Sequence, residues 1–278
     1  MARQALSVIV PTLNEAAVLR DCLDSVRFAD EVIVVDSFST DATETIARDA
    51  GARFLRHPFV DFARQKNWAI EQTAHPWILQ VDADERVTPA LRDEILTLLG
   101  GDPLHDAYRT PRVNHFLGRR MRHTGWGRDA VIRLFRRTLR FSGEIHEAIR
   151  PAGAIPSLRM PLEHHSFRSF AQYGAKMQTY SAFWAARAWR EGRRAGAANV
   201  LLHPAAHFLK AYVWRLGFLD GGHGLVLSLF GAASVYLKYA RLWELQILEA
   251  SRAAVAGDAP PPEDRAAAGP AGREGAAE

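Results

Sequence analysis

Trp77-Ile78-Leu79-Gln80-Val81-Asp82-Ala83-Asp84 is a charge-free run that stops at two carboxylates one residue apart. The run has the length and apolar content of a buried strand. If the extended geometry persists past Val81, strand alternation points Asp82 and Asp84 to one side. Two anions held that close repel unless a cation or a proton lies between them. Oxygen donors suit Mg²⁺ or Mn²⁺, and Mg²⁺ commonly takes one or two protein carboxylates and fills its shell with water and phosphate oxygens. An Asp-x-Asp in isolation is as often a solvated surface turn as a metal site, so the segments before it decide the reading.

Upstream, strands and helices alternate. Leu6–Val10 is an apolar run closed by Pro11, and Glu15–Val26 places Val18, Leu19, Cys22, Leu23 and Val26 on one helical face. Glu31–Val35 predicts a second strand ending at Asp36. Thr40 and Asp41 open a helix that Gly51 closes, a short strand falls near Arg53–Leu55, and a helix runs from Phe62 to Gln72. Thr88-Pro89 starts another helix, with Thr as cap and Pro in the first turn. Strands separated by such helices predict an α/β fold with a mostly parallel sheet covered on both faces. Ligands of these sheets bind outside the carboxyl ends of the strands. Three polar endings therefore gather at one edge: Pro11-Thr12-Leu13-Asn14-Glu15, Asp36-Ser37-Phe38-Ser39-Thr40-Asp41, and Asp82-Ala83-Asp84.

The chain has 278 residues, 48% hydrophobic and 24% charged, enough for a sizeable core. A single cysteine, Cys22, excludes an intramolecular disulfide framework and fits a reducing compartment. The net charge of +4 is modest, but nine arginines crowd 112–140 and more follow from Arg187 to Arg194. That density favours phosphate-rich partners. No zinc-finger spacing or other nucleic-acid module accompanies it, so nucleic acid is not an expected partner. Met1-Ala-Arg-Gln-Ala-Leu runs straight into the first strand, leaving no room for a signal peptide.

Beyond residue 105, Tyr108–Val113 and Val131–Phe135 predict strands, and Ser166–Glu191 a long aromatic-rich helix. Residues 200–248 are apolar with interspersed basic residues. Gly221–Leu237 lacks Asp, Glu, Lys and Arg but is short and glycine-rich, marginal against the ~20 residues that span a bilayer. Its flanks, with Trp214, Tyr239 and Trp243 beside Lys210, Arg215, Lys238 and Arg241, fit interfacial helices on an anionic membrane surface. Alanine, glycine, proline and charge dominate from residue 253, which predicts a disordered tail. The expected organisation is 1–165 as the α/β domain, 166–250 as a helical membrane-associated region and 251–278 as tail.

Ser7-Val-Ile-Val-Pro-Thr-Leu-Asn-Glu15, Val34-Val-Asp-Ser-Phe-Ser-Thr-Asp-Ala-Thr43 and Gln80-Val-Asp-Ala-Asp84, in this order, resemble the family 2 glycosyltransferases of GT-A (nucleotide-diphosphosugar) fold. Gly143-Glu144-Ile145-His146-Glu147 and Arg215–Gly224 are similar to the bacterial lipopolysaccharide-core glucosyltransferases within them. The resemblance implies that Pro11, Thr12, Asn14, Glu15, Asp36, Ser37 and Asp82 line the donor-nucleotide pocket. It implies a divalent cation (Mg²⁺ or Mn²⁺) held by Asp84, with Asp82 and His146 beside it. It implies Glu147 as the base for the acceptor hydroxyl, Glu144 in reserve, and His146 as a metal or acceptor ligand. The expected reaction is inverting transfer of a hexose, glucose, from a UDP-sugar to a lipid-linked saccharide such as the lipopolysaccharide inner core. It would take place on the cytoplasmic face of the inner membrane.

Rival readings are another cell-envelope acceptor, or a membrane-associated scaffold that kept the fold without catalysis. A sugar nucleotidyltransferase resembles this sheet but has a glycine-rich first loop, and Pro11–Arg20 has neither glycine nor lysine. The G-x-G-x-x-G of dinucleotide-binding dehydrogenases is absent after the first strand. Among isolated residues, Arg128 and Arg133 are expected to be solvated, lipid-facing or at a diphosphate. The His164-His165 pair, whose members point apart on a strand, is expected in core or capping roles. Trp126 is read as packing or sugar-stacking, and Asp220 as a turn residue.

Overall fold

The computed structural model describes residues 3–127, 129–143 and 148–257. Its centre is a nine-stranded mixed sheet in the order β3-β2-β1-β4-β8-β6-β11-β5, with β7 against β6. The first four strands form the parallel part: β1 (Leu6–Thr12) between β2 (Glu31–Asp36) and β4 (Trp77–Gln80), and β3 (Arg53–Arg56) outside β2. Register aligns Thr12 with Asp36, so two of the polar endings leave the sheet side by side. β5 (Glu85–Val87), β6 (Ala107–Phe116), β7 (Arg119–Arg120) and β8 (Asp129–Arg136) follow. β8 runs antiparallel to both β4 and β6, so the sheet is less parallel than the alternation of strands and helices implies. A small ribbon of β9 (Phe141–Ser142) and β10 (Ala148–Ile149) stands apart, and β11 (Leu162–Phe167) completes the sheet.

Both faces are covered, which is why the inner strands read as continuous apolar runs. On one face Leu6, Val8, Val10, Trp77 and Leu79 pack against α1 (Ala16–Ser25) and α4 (Pro89–Gly100). On the other, Ile9, Ile33, Val35 and Ile78 meet α3 (Phe62–Glu71) and Phe135. The Thr88 hydroxyl accepts from Leu91 N, and Pro89 occupies the first turn, as the sequence implies.

Three expectations are corrected. α2 spans Thr43–Asp49 rather than opening at Thr40, because the Asp41 carboxylate is engaged in capping Thr43 N and holding Ala16 N. The extended geometry ends at Gln80: Glu85 N donates to Asp82 O at 2.9 Å, closing a turn, so Asp82 and Asp84 do not share a strand phase. Ser166 and Phe167 belong to β11, paired with β6, and α5 (Phe170–Arg190) begins only after Ser169 accepts from Gln172 N.

The chain ends in helices. After α6 (Ala197–Leu209) come a π-turn at Lys210–Trp214, a 3₁₀ turn at Gly217–Asp220, and the 37-residue α7 (Gly221–Gly257). The predicted flank around Tyr236–Trp243 is therefore not a separate helix but the continuation of α7. By length and composition, one helix among the described residues could cross a membrane, with a mean hydropathy of 1.3 over its best window. Glu144, His146, Glu147, Arg128 and residues 258–278 lie outside the described residues.

Candidate active site

The first two endings are knitted into one another. Asp36, at the end of β2 and 1% exposed, accepts from Thr12 Oγ1 at 3.0 Å and from Ser39 N at 2.7 Å. Ser39 Oγ in turn accepts from Asn14 N at 2.7 Å, and Asn14 Oδ1 accepts from Thr40 N at 2.8 Å. Asn14 (φ +56°) and Phe38 (φ +64°) are both held in the left-handed region. That conformation is costly for phenylalanine and is sustained only when the surroundings impose it. Phe38 stays 55% exposed beside the loop. Ser37 donates its N–H to Thr12 O, and its hydroxyl accepts from Gln65 on α3. Pro11 stands opposite Val35.

The third ending is the electrostatic centre. Asp82 Oδ1 accepts from Gln80 Nε2 at 2.7 Å, and Asp82 Oδ2 meets Arg133 Nη2 at 2.5 Å. The same guanidinium bonds Gln80 Oε1 and, at 2.6 Å, Glu85 Oε1. Desolvation pushes the Asp82 carboxyl upward, but the Arg133 and Lys66 charges and the Gln80 amide outweigh it and hold the group well below the usual carboxylate range. Arg133 is therefore buried and paired, contrary to the solvated or diphosphate-reaching expectation. Glu85, 0% exposed, also touches Arg112 Nη1 at 3.3 Å, and Arg112 binds Asp129 Oδ2 at 2.5 Å.

From Asp129 the chain of bonds turns back. Asp129 Oδ2 accepts from Asn114 Nδ2 at 3.2 Å, and that amide nitrogen also donates to Trp126 O. With its NH₂ so engaged, Asn114 turns Oδ1 to His164 Nδ1 at 2.7 Å, so Nδ1 carries the proton. His164 Nε2 lies 3.6 Å from Asp84 Oδ2. Asp82 and Asp84 are thus joined through Arg133, Glu85, Arg112, Asp129, Asn114 and His164. His165 N donates to Asp84 O, fixing β11 to the turn.

An imidazole nitrogen and a carboxylate facing each other suit an oxygen- and nitrogen-binding cation, and the Nδ1 hydrogen bond fixes the ring as metal-bound histidines usually are. Among the described residues no group of three His, Cys, Asp or Glu side chains gathers. Two protein ligands leave room for phosphate oxygens around Mg²⁺ or Mn²⁺. In place of the core or capping role that the sequence suggests for this pair, His164 faces Asp84, because adjacent strand residues point apart, while His165 stacks on His115 at 4.7 Å. Two further groups border Asp84. Lys176 Nζ, from α5, is 3.9 Å from Oδ2. Glu15 has its carboxyl raised, first by burial and then by the nearby Asp84 charge.

Other residues are structural. Trp126 packs against Phe116 and Phe167. Asp220, 4% exposed, accepts from the backbone N–H groups of Arg122 and His123. Cys22 is fully buried, and desolvation drives its thiol far above the ordinary range, consistent with packing. A cavity of about 590 Å³ opens where β6 and β8 meet β7 and the loop after it, lined by Arg112, Arg120, Met121, Arg122 and Asp129 among others.

The glycosyl transferase family 2 model matches residues 7–165. The lipopolysaccharide core biosynthesis glycosyltransferase LpsC of Rhizobium meliloti is 31% identical over 251 residues, covering 84% of this chain and 93% of LpsC. An uncharacterized glycosyltransferase of Rickettsia bellii is 29% identical, covering 87% of each chain. Glucosyl-3-phosphoglycerate synthase from Mycobacterium tuberculosis, crystallised with Mn²⁺, UDP and glucosyl-3-phosphoglycerate, superposes with a TM-score of 0.35 at 24% identity. That match covers 40% of this chain and 44% of the synthase, so the chain spans under half the length of the solved structure it matches. The family pattern extends over more than half of the sequence and contains all three strand endings, and the protein belongs to the family 2 glycosyltransferases.

Proposed function

We propose that this glycosyltransferase moves a hexose, glucose, from a UDP-sugar to a lipid-linked saccharide of the lipopolysaccharide inner core, with inversion at the anomeric carbon. The observation that carries the reading is the convergence of Asp36, Asp82 and Asp84 at one sheet edge with His164 turned toward Asp84. The likeness to LpsC along nearly its whole length supports the acceptor class. On this reading the Pro11–Glu15 loop, Asp36, Ser37 and Asp82 receive the nucleoside. Asp84 holds the cation with Asp82 and His146 beside it, and His164 joins them from β11.

Breaking the bond from the anomeric carbon to UDP places negative charge on the diphosphate, which a divalent cation held there would offset. Lys176 stands 3.9 Å from Asp84 and adds positive charge on the same side. The acceptor oxygen bonds the anomeric carbon as the diphosphate leaves, and its proton passes to a carboxylate, assigned to Glu147 with Glu144 in reserve. A lipid-linked acceptor puts the enzyme on the cytoplasmic face of the inner membrane.

The test is a donor screen scored by UDP release, with and without lipid acceptor. Glucose transfer should require Mn²⁺ or Mg²⁺, and Asp84→Ala and His164→Ala should both lose cation-dependent UDP binding in calorimetry. Glu147→Gln should bind UDP normally and turn over ~10²–10⁴-fold more slowly. Metal-independent turnover by Asp84→Ala would refute the cation assignment, and full activity of Glu147→Gln would refute the base.

A further inference from the structure

Helix α6 has the composition of a core helix and the environment of a surface one. Its 13 residues include no Asp, Glu, Lys or Arg, yet none of them is buried. One side of α6 meets α7: His203 stacks on Tyr239 at 4.4 Å, and the His207 ring lies against Gly231. The opposite side is open. Leu202 (66% exposed), Leu209 (57%) and Val213 (53%) recur there at helical spacing, with Leu201 alongside at 68%. The stripe continues into the turn, where Trp214 is 85% exposed and Phe218 and Leu219 are about half exposed.

Charge is distributed to match. Residues 192–219 contain no Asp or Glu; Arg193 and Arg194 precede α6, paired with Glu191 at 3.1 Å and Glu249 at 4.0 Å, and Lys210 and Arg215 follow it. The turn is also fastened to a basic hairpin of the catalytic sheet. Asp220 binds the N–H groups of Arg122 and His123, Thr124 N donates to Arg215 O at 3.1 Å, and Arg119 approaches Gly221. Exposed Arg119, Arg120 and Arg122 are thereby set beside the apolar turn, a juxtaposition of residues about 100 positions apart.

We propose that the open face of α6 and the 210–219 turn lie in the headgroup plane of an anionic phospholipid bilayer as a monotopic anchor. Apolar side chains would enter the acyl boundary, and Lys210, Arg215 and the basic hairpin at 119–122 would meet lipid phosphates. A charge-free stripe with aromatic and basic residues at its borders is the pattern of an in-plane helix. A second copy of the chain is the weaker occupant. A two-fold pairing of α6 with itself would bring basic residues against basic residues, with no carboxylate on this segment to offset them. The consequence reaches the site: the stapled hairpin lines the 590 Å³ cavity, whose Arg112–Asp129 pair connects through Glu85 and Arg133 to Asp82. A lipid-borne saccharide would thus meet the cavity at the membrane surface.

The inference rests on the membrane reading above but not on the identity of donor or acceptor. Flotation of the full chain should show binding to vesicles of phosphatidylethanolamine with phosphatidylglycerol and little to phosphatidylcholine alone. The variant Leu202→Glu/Leu209→Glu/Trp214→Glu should partition on the order of tenfold or more weakly with unchanged melting and UDP binding. Cys22 is fully buried, so a Trp214→Cys variant can be labelled at one site with an environment-sensitive fluorophore, which should shift to the blue on adding the anionic vesicles. Equal flotation of the triple variant, no shift at position 214 while the protein is bound, or a dimer that the triple variant dissolves would each overturn the proposal. Loss of UDP binding by the wild type would count against the donor reading alone and would leave the flotation result intact.

Discussion

Replacing Arg133 with methionine should damage this protein more than any change at an exposed arginine. Arg133 is 5% exposed and bonds Gln80, Asp82 and Glu85 at once. Its removal leaves Glu85, fully buried, with Arg112 at 3.3 Å and the Asp82 N–H at 3.0 Å as its hydrogen-bond partners among the described residues. It also strips a donor from the buried Gln80 carbonyl. Breaking one side of a buried ion pair costs about 3–5 kcal/mol, because a charge is stranded. The Asp82 side chain is a third exposed, so its pairing is partly screened and most of that loss falls on Glu85. At roughly 2–4 °C per kcal/mol for a protein of this size class, the melting temperature should fall by about 6–20 °C. Arg133→Lys should fall between, since an ammonium cannot serve three acceptors as a planar guanidinium does. Arg133→Met/Glu85→Gln should recover part of the loss, because no buried charge is then stranded. Thermal and urea unfolding of wild type, Arg133→Met, Glu85→Gln and the double variant at neutral pH closes the cycle. A loss under about 1 kcal/mol for Arg133→Met, or no recovery in the double variant, would refute the reasoning.

Two further outcomes follow from particular contacts. Glu15 has a folded-state pKa above its unfolded value, so its contribution to stability is full below about pH 4.3 and is lost as pH rises through the folded value. Glu15→Gln should therefore melt higher than wild type at neutral pH without divalent cation, with the gap closing on acidification; a lower melting point at pH 7 would contradict this. Gly224 sits where a Cβ would come within 1.9 Å of Gly217 O, a backbone atom that cannot swing aside. Gly224→Ala should cost about 1–3 kcal/mol and loosen the 217–220 turn, seen as faster amide exchange at Thr124 and Asp220.

Local chemistry in the sequence determined much of this protein. Largely apolar runs at Leu6–Val10, Glu31–Val35 and Trp77–Val81 follow from a sheet covered on both faces, and Thr88-Pro89 marks a helix start by capping alone. The three polar endings follow from the rule that such sheets bind ligands beyond their strands' carboxyl ends. Tertiary structure decided the rest, because it depends on pairings between distant segments. β11 lies parallel to β6 and antiparallel to β5, and only that arrangement turns His164 to Asp84 and brings Asn114, 50 residues away, to fix its proton. Arg112 and Arg133 look like members of a solvated basic run, but β6 and β8 are interior strands, so their guanidinium groups are drawn in to pair with Glu85. The interleaved aromatic and basic residues near Lys210–Arg215 mark an interfacial segment in the sequence, but which side of α6 stays open is set by its packing against α7. Residue order alone does not tell which side of a charge-free helix meets its neighbour and which is left open.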